Sequence, residues 1–139
     1  MNLERFVEAQ NRVYAQVCAE LRAGEKRSHW MWFVFPQLAG LGHSEMAQRF
    51  AIASLDEARA YLAHPILGTR LRECVGILNG VEGRTAAQIM GYPDDLKLRS
   101  CLTLFARATA DKQVFLDALE KYFSGEMDSL TLKLLDSAS

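Results

Sequence analysis

The stretch Ser28-His29-Trp30-Met31-Trp32-Phe33-Val34-Phe35-Pro36-Gln37 constrains the fold more than any other. Read as a helix, Trp30 and Phe33 share a face, Met31 and Phe35 share another, and Trp32 lies between them. A helix that is apolar nearly all round belongs in an interior. Ser28 is placed to cap it, with helix from His29 to about Phe35. Pro36 disfavours helix at the residue before it, so the segment stops there. Gln37 to His43 then reads as a loop around Gly40 and Gly42.

The rest of the chain follows a helical period. Leu3, Phe6, Val7, Gln10, Val13, Tyr14, Val17 and Leu21 recur at three- and four-residue steps, which predicts one helix between Asn2 and a stop at Gly24. Ser44 caps a helix from Glu45 to about Ala51. Ser54-Leu55-Asp56-Glu57 is a capping box that starts a helix to about Ala63. After the joint at His64-Pro65, a stripe from Leu67 to Leu78 predicts a helix ending near Gly80. Thr85 caps a short helix through Met90, and Gly91 stops it. Pro93 opens another with Asp94 and Asp95 in its first turn, where the helix dipole favours negative charge. Its core stripe is Leu98, Cys101, Leu102 and Phe105. Asp111 is read as the cap of a helix through about Phe123, and Asp128 as the cap of a last one that carries Leu130, Leu134 and Leu135. No segment alternates as a strand does. The expected fold is all-α, a compact single domain over residues 1–139 with roughly seven to nine short helices and irregular connections.

Charge and cysteine use narrow the function classes. Sixteen basic and 17 acidic residues give a net charge of -1, which argues against an electrostatic nucleic-acid binder. Cys18, Cys74 and Cys101 are widely spaced and form no metal-ligand pattern, so buried reduced thiols are expected and no metal or cofactor. Met1-Asn2-Leu3-Glu4-Arg5 carries no apolar signal region, and no apolar run approaches the ~20 residues of a membrane span. A cytoplasmic location is the expectation.

Several of these residues resemble one family's pattern. The N-terminal part is Arg5-Phe6 with Ala9-Gln10, the aromatic stretch through Pro36-Gln37, and Gly40-Leu41-Gly42. The middle is Tyr61-Leu62, His64-Pro65 and Leu67-Gly68-Thr69-Arg70-Leu71. The C-terminal part is Asp94, Lys97, Ser100, Thr103-Leu104-Phe105, then Asp128 and Thr131. Together they resemble the bacterial and fungal group known as domain of unknown function 1810. The resemblance covers essentially the whole chain, and it implies an all-α domain without an assigned activity, catalytic residue or cofactor. The glutamine-bearing first helix, the tryptophan segment and the His-Pro-x-Leu-Gly-x-Arg-Leu stretch are also similar, as patterns, to proteins of the NADAR type. That likeness implies hydrolysis of an ADP-ribosyl bond as one reading.

A small-ligand site wants an aromatic wall and a few convergent polar groups. In the leading reading a small anionic or nucleotide-like ligand sits beside residues 26–37. Trp30 stacks on it, Lys26, Arg70 and Lys97 hold its charge, and Gln10 and Gln37 orient it. His29 is the candidate for proton transfer, because histidine titrates near neutral pH. Each role has a structural counterpart. The aromatics would be core, Gln10 would bridge to loop backbone, and Asp94 would pair with Lys97 or Arg70. The reading from another class is a protein-interaction module or homodimer, with an exposed apolar patch at Met31, Phe33 or Phe35.

Overall fold

A computed structural model describes residues 2–138, and Met1 and Ser139 lie outside them. The described residues form ten helices: α1 (Glu4–Asn11), α2 (Tyr14–Ala23), α3 (Met31–Val34), α4 (Glu45–Arg49), α5 (Leu55–Ala63), α6 (Leu67–Gly80), α7 (Ala86–Met90), α8 (Asp94–Ala108), α9 (Gln113–Phe123) and α10 (Ser129–Ser137). Among them there is no strand; a single parallel bridge joins Leu38 to Ile52. No helix of the described residues is long and apolar enough to cross a membrane.

The helix number exceeds the expectation because the first predicted helix is two. Its apolar stripe is continuous, but the backbone breaks at Arg12-Val13. Gly24 ends α2 in the left-handed conformation, at a φ of 70°. The caps at Ser44, Ser54, Thr85 and Asp128 all form, each side chain accepting a backbone N–H three residues on. The Ser54 box is reciprocal in a shifted way: Glu57 reaches back to the N–H of Ala53. His64 Nδ1 accepts from the N–H groups of Ile66 and Leu67, so the His64-Pro65 joint is a cap for α6. Two expected caps do not form. Ser28 turns its hydroxyl to Glu20, and α3 starts later, at Met31. Asp111 lies before the start of α9 and faces Arg72 instead.

The core runs through α8. Leu98, Cys101, Leu102 and Phe105 are buried as expected, but so are Ser100, Thr103, Leu104, Ala106 and Ala108. α8 is therefore enclosed by α5, α7, α9 and α10 and is the central helix of the bundle. The polar members are satisfied: Ser100 and Thr103 donate back to carbonyls one turn earlier, and the Thr103 hydroxyl also accepts from the Asp128 N–H at 2.9 Å. Phe6, Tyr61, Phe105 and Phe115 join the helices through a run of tilted and edge-on ring pairs. All three cysteines are free and buried. Leu130 is half exposed, and the last helix packs through Leu134 and Leu135.

α5 and α6 approach closely at Gly68. A Cβ there would stand 2.0 Å from the Leu62 carbonyl oxygen, which is backbone and cannot swing aside. Gly68→Ala is therefore expected to lower stability by about 2–3 kcal/mol in urea unfolding. The two tryptophans should separate in the same measurement. Trp30 is buried and Trp32 half-buried, so Trp30→Ala should cost about 3–5 kcal/mol and Trp32→Ala clearly less.

Candidate functional site

Gln10 lies in the buried stripe of α1, where its amide must be satisfied by protein atoms. Its Nε2 donates to the Phe33 carbonyl at 2.7 Å and lies 3.0 Å from the Tyr61 hydroxyl. Its Oε1 accepts from Arg70 Nη1 at 3.4 Å. Arg70, in the first turn of α6, is half-buried, and its guanidinium carbon lies 4.7 Å from the centre of the Tyr14 ring. The Tyr14 hydroxyl in turn donates to the Glu73 carboxylate, one turn along α6. Burial, and then the bond to Glu73, push the Tyr14 phenol well above its ordinary value, so it stays a protonated donor. Burial likewise pushes the neighbouring Cys74 thiol up to about 12, which makes it a poor nucleophile.

Three helices thus bring Gln10, Tyr14, Arg70 and Glu73 to one corner. Among the described residues no carboxylate pairs with Arg70. Stacking and the Gln10 bond hold its guanidinium in place while its other N–H groups have no hydrogen-bond partner. The result is a half-buried arginine with a carboxylate and a phenol beside it.

The remaining predicted residues gather elsewhere. Lys26 is nearly enclosed: its side chain is 8% exposed, its Nζ lies 3.0 Å from Asp94 Oδ2, and it sits 5.2 Å from the Trp30 ring centre. Lys97 reaches the other oxygen of Asp94 at 3.6 Å. Two of the three predicted charge-holding residues therefore share one counter-ion, while Arg70 stands in the Gln10 cluster. No hydrogen bond, ion pair or ring contact of the described residues joins the two groups directly. Trp30 is buried, so its ring offers no open face for a stacking ligand. His29 is exposed and has no hydrogen-bond or ionic partner among the described residues. Gln37 lines a recess with Trp32 and Phe50 that has room for about 20 Å³, the scale of one water. Met31, Phe33 and Phe35 are buried, so the apolar interaction patch expected there is absent.

Glu20, which the sequence did not single out, anchors the segment between α2 and α3. Its Oε1 accepts from the N–H groups of Arg27 and Ser28 and from the Trp30 indole; its Oε2 accepts from the Ser28 hydroxyl and the Gln16 amide. Burial alone would raise this carboxyl. The bonds from Arg27, Ser28, Trp30 and Gln16 outweigh it and hold the group down at about 2.

Comparison with known proteins places the fold. The sequence matches the family described as "Protein of unknown function (DUF1810)" over residues 1–135. The chain belongs to the DUF1810 family. A solved DUF1810-like structure, the conserved hypothetical protein Rv1873 from Mycobacterium tuberculosis, is 58% identical over 96% of each chain and superposes with a TM-score of 0.95. None of the curated proteins matches. In this chain the segment Leu67-Gly68-Thr69-Arg70-Leu71 supplies both the close helix approach and the arginine that no carboxylate pairs.

The Glu20 anchor predicts an acid-sensitive fold. A carboxyl held below its ordinary value of 4.5 adds stability that is fully present above about pH 4.5 and is lost as pH falls through about 2. The full effect is about 3 kcal/mol. Glu20→Gln should remove most of this contribution and flatten the loss between pH 4.5 and 2 in urea unfolding measured against pH.

Proposed function

We propose that this DUF1810 domain binds a small anionic ligand and that Arg70 receives its charged group. The observation that carries the reading is the half-buried guanidinium of Arg70, set by Gln10 and Tyr14 and paired with no carboxylate. A guanidinium offers parallel N–H groups that match a carboxylate or phosphate. The sequence placed Lys26 and Lys97 in the same role and Trp30 as the stacking ring. In this reading Lys26 and Lys97 serve the fold through Asp94, and Trp30 serves the core.

A narrower version is hydrolysis of an ADP-ribosyl N-glycosidic bond. It needs a carboxylate beside the anion receptor, and Glu73 stands there against Tyr14. Arg70 would hold a phosphate of the substrate and Glu73 would handle the proton.

The test is a calorimetric and thermal-shift titration with inorganic phosphate, small carboxylates, ADP and ADP-ribose. A ligand is expected to raise the melting temperature of the wild-type chain. Arg70→Met should weaken its affinity by about tenfold to a hundredfold, the range for a lost charge-assisted hydrogen bond. Lys97→Met and His29→Gln should leave the affinity unchanged. Binding that survives Arg70→Met but fails in Lys97→Met would overturn the assignment.

A further inference from the structure

α1 has a second charged face. Arg5, Glu8, Ala9 and Arg12 recur at three- and four-residue steps, so they form one stripe. This stripe borders a groove of about 240 Å³ shared with α4. Its apolar lining is Ala9, Val13, Phe33, Met46 and Phe50. The Phe33 and Phe50 rings are 5.4 Å apart and tilted at 55°. Gln10 holds the backbone beneath Phe33, since its amide donates to the Phe33 carbonyl.

The rim is unevenly charged. Arg5 is committed: it donates to the carbonyls of Arg49 and Ala51 and lies 3.6 Å from Glu57. Arg12 and Arg49 are exposed and have no carboxylate partner among the described residues. The Arg49 guanidinium carbon lies 5.2 Å from the Phe50 ring centre, which keeps the charge at the edge of the apolar floor. Glu8 is the acidic group of the lining. Two unpaired cations and one carboxylate thus rim an apolar floor.

We propose that this groove binds a one-ring organic anion, an aryl carboxylate or aryl phosphate, independently of the Arg70 site. The ring lies over the half-buried Ala9, Val13 and Met46 side chains, and the acid group meets Arg12 and Arg49. Size sets the class. Drug-sized ligands occupy about 300–1,000 Å³, so a groove smaller than that takes a single ring and not a dinucleotide. Charge sets the sign, because a cation would meet two arginines. The floor sets the shape, since an apolar ring gains by covering Ala9, Val13 and Met46 where an inorganic anion gains nothing.

The test is an amide-resolved NMR titration of the wild-type chain with phenyl phosphate, benzyl alcohol and inorganic phosphate. Phenyl phosphate is expected to give saturable shifts at Phe33, Met46, Arg49 and Phe50, with the other two probes binding at least about tenfold more weakly. Arg12→Gln with Arg49→Gln should weaken phenyl phosphate by a similar factor, and Arg70→Met should leave it unchanged. Equal binding of benzyl alcohol would overturn the charge argument, and equal binding of inorganic phosphate would overturn the role of the ring. Absence of saturable shifts at the groove, or loss of them in Arg70→Met alone, would overturn the site. The three wild-type titrations decide the matter even if the double variant fails to fold.

Discussion

The carboxylate of Glu20 sits near the end of α2 and accepts hydrogen bonds from the Arg27 and Ser28 backbone, the Ser28 hydroxyl, the Trp30 indole and the Gln16 amide. A buried charge is costly unless it is well matched, and these donors supply the match. The consequence is geometric. The segment after Gly24 is wound around one point, Trp30 is drawn into the core, and Lys26 is delivered to Asp94 and its amide to the Ile89 carbonyl. One carboxylate thereby joins α2 to the aromatic segment and, through Lys26, to α7 and α8.

Gln10 does comparable work across the opposite gap. It joins α1 to the Phe33 carbonyl, to Tyr61 of α5 and to Arg70 of α6. Burial pushes the Tyr61 phenol well up, while the hydrogen bond from Gln10 pulls the other way. The two polar anchors differ in what they leave over. Around Asp94 the cations are Lys26 and Lys97, and both are paired with its carboxylate. Around Gln10 the cation is Arg70, and its charge is left without a carboxylate. A half-buried arginine held without a carboxylate costs stability, and the proposed anion would supply the missing counter-charge.

Much of the fold is legible in the sequence because its signals are local. Ser44, Ser54, Thr85 and Asp128 cap helices where the pattern places them, and Gly24 and Gly91 stop them. The break at Arg12-Val13 is not legible, since an apolar stripe continues across it. Nor is the central place of α8, whose Ser100 and Thr103 read as polar but donate back along the helix, Thr103 also accepting from the Asp128 N–H. The candidate site shows the same division. Gln10 stands out as a polar residue in an apolar stripe, and Arg70 as an anion-binding side chain. Tyr14 and Glu73 look like stripe and surface, and only the meeting of α1, α2 and α6 joins them. Glu73 is one turn after Arg70, which is the spacing that could have drawn attention to it. The joining of Lys26 to Lys97 is a long-range event that no spacing encodes.

The measurement that tests this account most directly is hydrogen exchange at the two tryptophan indoles, followed by NMR in the wild type and in Glu20→Gln. The account predicts that the Trp30 indole N–H, bonded to Glu20 at 2.9 Å inside the core, exchanges slowly in the wild type and much faster in the variant. The half-buried Trp32 indole should exchange quickly in both. A Trp30 indole that exchanges as fast as that of Trp32 in the wild type, or that keeps its protection in Glu20→Gln, would contradict the claim that this carboxylate holds the aromatic segment in place.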